Sequence, residues 1–503
     1  MTSLSALRSS LAAPSPLPAS QAVRPQVAGL AGSVGAEDPG RTDDSRSSSP
    51  PLEGTRLTLS GSSAGASATY TRPGPPSSLW ARASDDAISR LIERNQQSAG
   101  SSLAQRWNGL GGALLAQLAS GAGDYSQAMV HLDASRPLSV QWEDLHRGAT
   151  QVSLQLMTRG GQSITLQINA HSGSADQAPG LQVDIRSQGA LDHGTRQALQ
   201  QLAQGLDKAL AALGQEKGPQ LELDGLLSFD RSQFASLNLE VKLPAGEPQA
   251  LRGFSLRLGR EQDQLALQTE QGQVQLRLER DSPLAQADAA QRQAAIAQQL
   301  RAVDAAAARG HADEGVVALF KSAFVQMHGG TDAQDSRTSS ASDSRRAPTL
   351  HLSPGLAAHV QGLVSGLADF EASFSSDATR LNDLGLITEQ SHTEYRLRQS
   401  TEALQLRKGD LRVQQTLEMQ LQASILQARN SGMLMPAEGN YDITQINDRQ
   451  TRRTLIEAVA GELVRAARES DEQQLTQWKM LIKHRAVQER STPERQHSVE
   501  LLI

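Results

Sequence analysis

Residues 151–168 read QVSLQLMTRGGQSITLQI, and this stretch decides the fold class. Apolar and polar residues alternate on both sides of the turn Thr158–Gly161. Alternation with a period of two is typical of a strand with one face in water, and two such runs joined by a short glycine-containing turn predict a β-hairpin. The expected apolar face of this hairpin consists of Val152, Leu154, Leu156, Ile164, Leu166 and Ile168.

The same alternation returns farther along the chain, and amphipathic helices separate the strands. A helix is predicted over Leu199–Leu213, where leucines recur at spacings of three and four. The later alternating runs are Leu237–Leu243, Phe254–Leu258, Leu265–Leu267 and Val274–Leu278. One-sided strands suit an antiparallel meander with one face in water and the other covered by helices. The sequence therefore predicts an α+β fold, with two modules of antiparallel β-meander packed with amphipathic helices.

Several further elements are predicted with the same two periods. Alternation at Leu138–Trp142 predicts a strand, and so does the run Tyr395–Gln399. Helices are predicted at Pro354–Phe370 and after Asp448, which would be the cap of the second helix. The run Leu411–Gln427 fits both a strand and a helix, because its apolar residues match both periods.

Composition divides the chain into four parts. Residues 1–83 are rich in Ser, Ala, Pro and Gly, and they are predicted to be a disordered leader because so little apolar surface cannot offset the entropy of ordering. Residues 329–349, a second polar stretch, are predicted to be a flexible linker. The predicted modules are residues 84–328, with a helix, a meander and a further helix, and residues 350–503.

Charge and cysteine content exclude several classes of function. The chain has 48 Lys and Arg against 54 Asp and Glu, a net charge of −6, so it has no general attraction to nucleic acid or to anionic lipid. It contains no cysteine, which excludes disulfides, thiol catalysis and thiolate metal sites. We therefore expect no nucleic-acid partner.

The sequence also predicts neither a membrane span nor a classical signal peptide. No apolar run approaches the roughly 18 residues of a membrane span, and Pro14, Pro16 and Pro18 interrupt any signal-peptide core. We expect a soluble protein without a membrane span, located in the cytoplasm or secreted by a non-classical bacterial route.

Two glycine-containing motifs match the residue pattern of known signatures but lack the predicted secondary structure that those signatures need. Gly61–Gly65 has the G-x-S-x-G pattern of the α/β-hydrolase nucleophile elbow, but that serine needs a strand before it and a helix after it, and this one lies in the predicted leader. Gly109–Gly112 is similar to a dinucleotide-binding turn, which needs a preceding strand and complete glycine spacing. The preceding segment predicts a helix, so an interruption of that helix is the better interpretation.

The histidines do not form a metal-ligand pattern. Metal sites need several ligands that converge on one point. Glu143 and His146 end a strand-like run, whereas His351 and His359 lie on either side of a helix start, so surface histidines explain both pairs. We therefore expect no metal ion and no cofactor.

Paired carboxylates are the one catalytic chemistry that the sequence leaves open, because pairing is decided in space. Asp184 lies in an apolar strand-like run, and Asp230 follows the apolar run Leu226–Phe229. Strand ends and turns commonly carry aspartate, which gives both residues a structural interpretation. The alternative hypothesis is an enzyme of unfamiliar type that uses such carboxylates in a cleft between meander and helices.

A flexible leader and two strand-rich modules remain after these exclusions. Tethered modules gain from effective concentration and sheet edges accept added strands, so we expect a non-enzymatic bacterial interaction, scaffold or assembly protein with a protein partner. The Ser/Pro-rich start, the Gln-rich body and the absent cysteine resemble, in composition, bacterial flagellar and type III export accessory proteins, including hook-length control proteins. This resemblance implies export by, or association with, a secretion or flagellar apparatus, and it transfers no functional residue.

Overall fold

The predicted α+β class is confirmed by a computed structural model of the chain, which contains a long antiparallel sheet with most of its helices against one face. The structure describes residues 70–71, 78–82, 85–96, 106–132, 135–146, 150–171, 180–214, 221–243, 251–282, 284, 288–329, 354–407, 409–429 and 432–502. The predicted leader therefore lies mostly outside the described residues, and its last part contains a short strand at Ser78–Trp80.

The strands are β1 Tyr70–Thr71, β2 Ser78–Trp80, β3 Tyr125–His131, β4 Thr150–Thr158, β5 Ser163–His171, β6 Gly180–Ser187, β7 Phe234–Lys242, β8 Leu251–Leu258, β9 Gln262–Thr269, β10 Gly272–Glu279, β11 Phe370–Leu381, β12 Ile387–Arg407, β13 Asp410–Ala428, β14 Tyr441–Val459, β15 Glu462–Ile482 and β16 Arg485–Leu501. Among the described residues they form one sheet in the order β1-β2-β3-β6-β5-β4-β7, followed by β8 to β16 in sequence. Short turns between neighbours make most of it a meander, as the alternating pattern predicts.

The hairpin at residues 151–168 forms as predicted. β4 pairs with β5 so that Val152 lies opposite Ile168 and Leu156 opposite Ile164. All four side chains are at most 1% exposed, whereas the polar residues between them face the other side of the sheet. The period of two thus sorts each strand into a covered apolar face and a polar face.

The helices of the described residues lie mainly between the strands of the N-terminal half and after β10. The side chain of Asp192 caps one of them by accepting a hydrogen bond from Thr195 N at 2.7 Å, and Asp288 caps another by accepting from Gln291 N at 2.7 Å. In the part of the chain that the structure describes, no helix is long and apolar enough to cross a membrane. The helices are α1 Ala87–Gln96, α2 Leu110–Ala119, α3 Leu138–His146, α4 His193–Leu213, α5 Asp224–Leu227, α6 Ala289–Gly310, α7 Glu314–Gly329 and α8 Pro354–Leu363.

The sheet runs without a break from β10 to β11, across the residues predicted to be a linker. The two strands pair from Gly272↔Ser376 to Leu278↔Phe370, and helix α7 packs over both. Phe324 of α7 contacts Phe370 edge-on, with ring centroids 5.2 Å apart. Aromatic pairs of this geometry stabilise a fold by about 1 kcal/mol beyond the contribution of the buried surface area. The division of the chain into two modules stays a prediction.

One predicted strand is a helix. Residues Leu138–Trp142 belong to α3, not to a strand. Although Leu138, Val140 and Trp142 alternate, the residues that the fold buries most are Gln141 and Leu145, each 2% exposed and four positions apart, while Val140 is 37% exposed. A run of only three alternating residues fits both a strand and a helix. The burial of Gln141 and Leu145, which are four positions apart, is consistent only with the helix.

In the C-terminal half one predicted helix is too long and another is wrong. Helix α8 ends at Leu363, and Phe370 begins β11 because Phe370, Ala372 and Phe374 fill the covered face with a period of two. Asp448 is not a helix cap but lies in the middle of β14. The ambiguous run Leu411–Gln427 is strand β13, and the predicted strand Tyr395–Gln399 lies within β12.

Candidate functional site: the open face of the sheet

The sheet face opposite to most of the helices carries mostly polar side chains, and we call it the open face. At its N-terminal end α3 packs on this face, where Leu145 contacts Ala128 and Val130 of β3. Strand β12 shows the separation, because Glu394 and Arg396 are exposed while their neighbours Tyr395 and Leu397 are at most 3% exposed. The register aligns such polar positions on strand after strand, so the open face is a long polar surface. It is defined by Gln155, Asp184, Arg257, Gln275, Ser373, Arg396, Gln420, Arg453, Arg495 and the residues that alternate with the covered side chains around them.

A shallow groove of about 450 Å³ lies on the open face across β10 to β13. It offers a ligand amide and hydroxyl groups together with one acid and one base, Glu394 and Arg396. These groups can donate and accept hydrogen bonds, but they are not arranged as a nucleophile with an adjacent base. The amides and hydroxyls that line it are Gln273, Gln275, Ser373, Ser375, Gln420 and Gln422.

A second hollow, of about 220 Å³, lies on the open face over β14 and β15. Arg453 Nη1 lies 3.3 Å from Glu469 Oε2, and Arg495 Nη2 lies 3.0 Å from Asp471 Oδ2. The hydrogen bond from Arg495 lowers the pKa of Asp471. Acids and bases thus neutralise each other from strand to strand, so the open face has a mixed pattern of charge rather than a strong field of one sign.

His392 lies on the open face of β12 between two carboxylates. Its Nδ1 is 2.7 Å from Asp377 Oδ1, and its Nε2 is 3.4 Å from Glu394 Oε1. The hydrogen bond to Asp377, with a smaller contribution from Glu394, raises the pKa of His392 above its ordinary value of 6.5. The folded protein therefore favours the imidazolium form at this position.

We expect Asp377→Asn to lower the pKa of His392 toward 6.5, because the variant loses the charged acceptor. In the wild type, the contribution of this pair to stability is complete below pH 6.5 and is lost as the pH rises through the raised pKa of the folded state. An NMR titration of the imidazole measures the midpoint, with Glu371→Gln on the neighbouring strand as the control. An unchanged midpoint in Asp377→Asn would refute the assignment.

The structure gives Asp184 and Asp230 structural contacts and does not bring them together. Asp184 lies on β6, and its Oδ1 accepts from Arg186 Nε at 2.8 Å. Asp230 lies in the turn before β7, where its Oδ1 accepts from Ser232 N at 2.8 Å and from Ser232 Oγ at 2.6 Å. Strands β5 and β4 lie between β6 and β7 in the sheet, which separates the two carboxylates.

The glycines of Gly109–Gly112 allow helices α2 and α4 to pack closely. Gly109 has φ of 72° and precedes α2, and Gly112 N donates to Asp207 Oδ1 of α4 at 2.8 Å. A Cβ at Gly112 would lie 2.1 Å from Asp207 Oδ2. Burial raises the pKa of Asp207. The position therefore needs glycine because two helices meet there.

The other candidate motifs contribute no site within the described residues. Gly61–Gly65 and His351 lie outside the residues that the structure describes, while His359 Nδ1 donates to the Gly355 carbonyl within α8 at 2.7 Å. Across the ranges that the structure describes, no group of three or more His, Asp or Glu residues could hold a metal ion.

Sequence reasoning missed β16, the last strand of the sheet among the described residues. We call β15 and β16 together, Glu462–Leu501, the C-terminal hairpin. Strand β16 pairs with β15 from Ala467↔Leu501 to Ile482↔Arg485, and each of its 17 residues is exposed. A strand that buries neither face has no apolar alternation, so the usual signal does not exist. Its remaining signal is an alternation of acidic and basic residues around Pro493.

No protein-family model matches this chain, and neither the curated proteins nor the solved structures that were searched contain a match. The fold and the open face thus define the chain as an α+β protein with a long antiparallel sheet.

Proposed function

We propose that the protein is a non-catalytic bacterial interaction or assembly protein and that the C-terminal hairpin is the element that binds its partner. The observation that carries the proposal is the exposure of all 17 residues of β16. A strand that buries no apolar face gains little from folding in isolation. A long strand of this kind suits a role in which its surface is covered by another molecule.

The hairpin is held to the body of the protein by polar contacts. Arg309 near the end of α6 donates from Nη2 to Asp448 Oδ1 at 3.1 Å and to Thr476 Oγ1 at 3.0 Å. The same Asp448 oxygen accepts from Leu475 N at 3.2 Å. Helix α6 thus fixes β14 against β15, and the hairpin is presented as an ordered surface, which lowers the entropic cost of binding.

The charges of β16 indicate the chemistry of the partner. Acids and bases alternate along the strand, so a partner protein with the complementary mixed pattern would be recognised by several ion pairs at once. Such recognition depends on ionic strength, because exposed charges are screened by salt. The compositional resemblance makes components of bacterial secretion and flagellar apparatuses the first partners to test, with an exported state as part of the same proposal.

The alternative, an enzyme with Asp184 or Asp230 in a cleft between meander and helices, stays a prediction of the sequence. The contacts of both carboxylates are explained by local structure.

The test compares affinity capture by the tagged full chain with capture by two charge-swapped variants. In the first, Arg490→Glu is combined with Glu494→Arg on β16. In the matched control, Arg257→Glu is combined with Glu240→Arg, an exposed pair 3.0 Å apart on β7 and β8. Both variants keep the net charge. The proposal predicts that the wild type and the control capture the same partner protein. The β16 variant is expected to capture at least tenfold less of it. The purified partner is also expected to bind the purified wild-type chain.

Equal retention of every captured protein by all three chains would contradict the proposed role of the hairpin. Circular dichroism of the three chains shows whether the swaps leave the fold intact, so a loss of binding is separated from a loss of structure.

A further inference from the structure

β16 is the edge strand of the sheet that the described residues form. At every second residue of β16 the backbone N–H and C=O point away from β15, toward the outer edge. Leu502 N donates to Ala466 O at 2.8 Å, and the register then continues without a shift to Gln488↔Met480. Residues in an antiparallel ladder alternate between those that bond the neighbour and those that point away from it. The even-numbered residues from Gln488 to Leu502 therefore face β15, and the odd-numbered residues face outward.

Pro493 is one of the outward-facing residues. Proline has no backbone N–H. Because the N–H of residue 493 would point away from β15, its absence breaks no hydrogen bond between β15 and β16. At the outer edge, however, a further strand would lack one donor at this position. Proline inside sheets is confined to edge strands with the N–H side toward solvent, and proline at an edge prevents unwanted strand pairing. The position of Pro493 is the one that blocks pairing at the centre of the edge.

The charges around Pro493 are self-complementary about Thr492. If β16 of a second copy is placed antiparallel along the outer edge with Thr492 opposite itself, Glu489 lies opposite Arg495 and Arg490 lies opposite Glu494. The two-fold axis repeats each pair, and directly opposed residues share a face, so all four are within reach of ion-pair contact. In the same register Pro493 lies opposite Ser491, whose carbonyl finds no donor.

We propose that the outer edge of β16 is a pairing surface for a second copy of this chain and that Pro493 keeps it unpaired. The charges determine the register of the pair, and the missing donor prevents the pair from forming. This inference does not rest on the partner proposed above, because it is tested at the edge of the strand by Pro493, and the exchange of Arg490 with Glu494 would leave the two copies complementary.

The test is Pro493→Val in the full chain, with Thr492→Val as the control. Valine at position 493 restores two hydrogen bonds at the axis of the pair, whereas valine at position 492 adds the same side chain and leaves Pro493 in place. Sedimentation velocity is expected to show twice the wild-type mass for Pro493→Val at micromolar concentration and no change for Thr492→Val. Pro493→Val at the wild-type mass would overturn the proposal.

The absence of cysteine makes a register test possible. Thr492 would lie opposite itself in a non-hydrogen-bonded pair, with Cα atoms about 4.5 Å apart, which is within the range for a disulfide. Thr492→Cys combined with Pro493→Val is expected to form a disulfide-linked dimer at least tenfold faster than Thr492→Cys alone. It should also do so faster than Glu500→Cys combined with Pro493→Val, which lies away from the axis.

A further variant tests the charges. Adding Arg490→Glu and Arg495→Glu to Pro493→Val places like charges opposite each other and is expected to return the wild-type mass. Equal cross-linking rates with and without Pro493, or a dimer that survives the charge change, would overturn the proposal.

Discussion

Gly205→Ala is expected to destabilise the fold by about 3 kcal/mol, at the upper end of what overpacking usually costs. Gly205 of α4 faces Gly225 of α5, and a Cβ built on Gly205 would lie 2.5 Å from the carbonyl carbon of Gly225. The obstacle is backbone, so a side-chain rotation cannot relieve it. The residues around this contact belong to the main core, including Leu206 and Leu226, both fully buried. Urea denaturation followed by circular dichroism measures the change.

The control for this substitution is Gly362→Ala in α8. A Cβ at Gly362 meets no atom within 4 Å. Alanine in a helix is favoured over glycine by roughly 0.5–1 kcal/mol, so this variant is expected to be neutral or slightly stabilised. Equal effects of the two substitutions would contradict the close contact between α4 and α5.

Asp263→Ala is expected to lower the free energy of unfolding by about 3–5 kcal/mol, because it removes the counter-charge of two arginines from a buried ion-pair cluster. The Asp263 side chain is 7% exposed, and its carboxylate accepts from Arg231 Nη2 at 2.9 Å and from Arg280 Nη1 at 3.0 Å. It also accepts from Gly259 N at 3.1 Å. Without the carboxylate, two partly buried guanidinium groups would face each other. The measurement is again urea denaturation.

Arg257→Ala serves as the control, because Arg257 pairs with Glu240 in solvent, with side chains 59% and 40% exposed. Exposed pairs contribute about 0–1 kcal/mol, so the control is expected to change stability little. A loss in Asp263→Ala no larger than in Arg257→Ala would show that the carboxylate does not hold the two arginines together.

The part of the fold that the sequence predicts is the part where one face of each strand is buried. The hairpin at residues 151–168 and most of the length of β7 to β10 bury every second residue, so apolar residues recur there with a period of two. Helix α4 is predicted for the matching reason, because its leucines fill one helical face against the sheet.

The C-terminal half is harder to predict because polar residues occupy the covered face. Ser391 Oγ donates to the His311 carbonyl at 2.6 Å, and Asp448 binds Arg309. Such contacts are made across more than 70 residues of sequence, so a single sequence carries no local sign of them. The pattern after Asp448 in β14 consequently predicts a helix, and β16 has no apolar pattern to indicate it.

The candidate site is predicted only in its general character. Alternation predicts a polar face on the meander, and that face exists, but its grooves depend on which strands are neighbours. Gln275 and Gln420 are 145 positions apart in sequence and line one groove. By contrast, Asp184 and Asp230 are 46 positions apart and are separated by two strands.

Amide hydrogen exchange of β16, resolved by residue with NMR, tests most directly whether the C-terminal hairpin is an ordered element with β16 at the edge of the described sheet. Alternate protection is predicted. The amides of Thr492, Glu494 and Gln496 face β15 and exchange slowly, whereas those of Ser491, Arg495 and His497 face water and exchange quickly. Uniformly fast exchange along Arg485–Leu501, or protection at every consecutive amide as in a helix, would contradict the account.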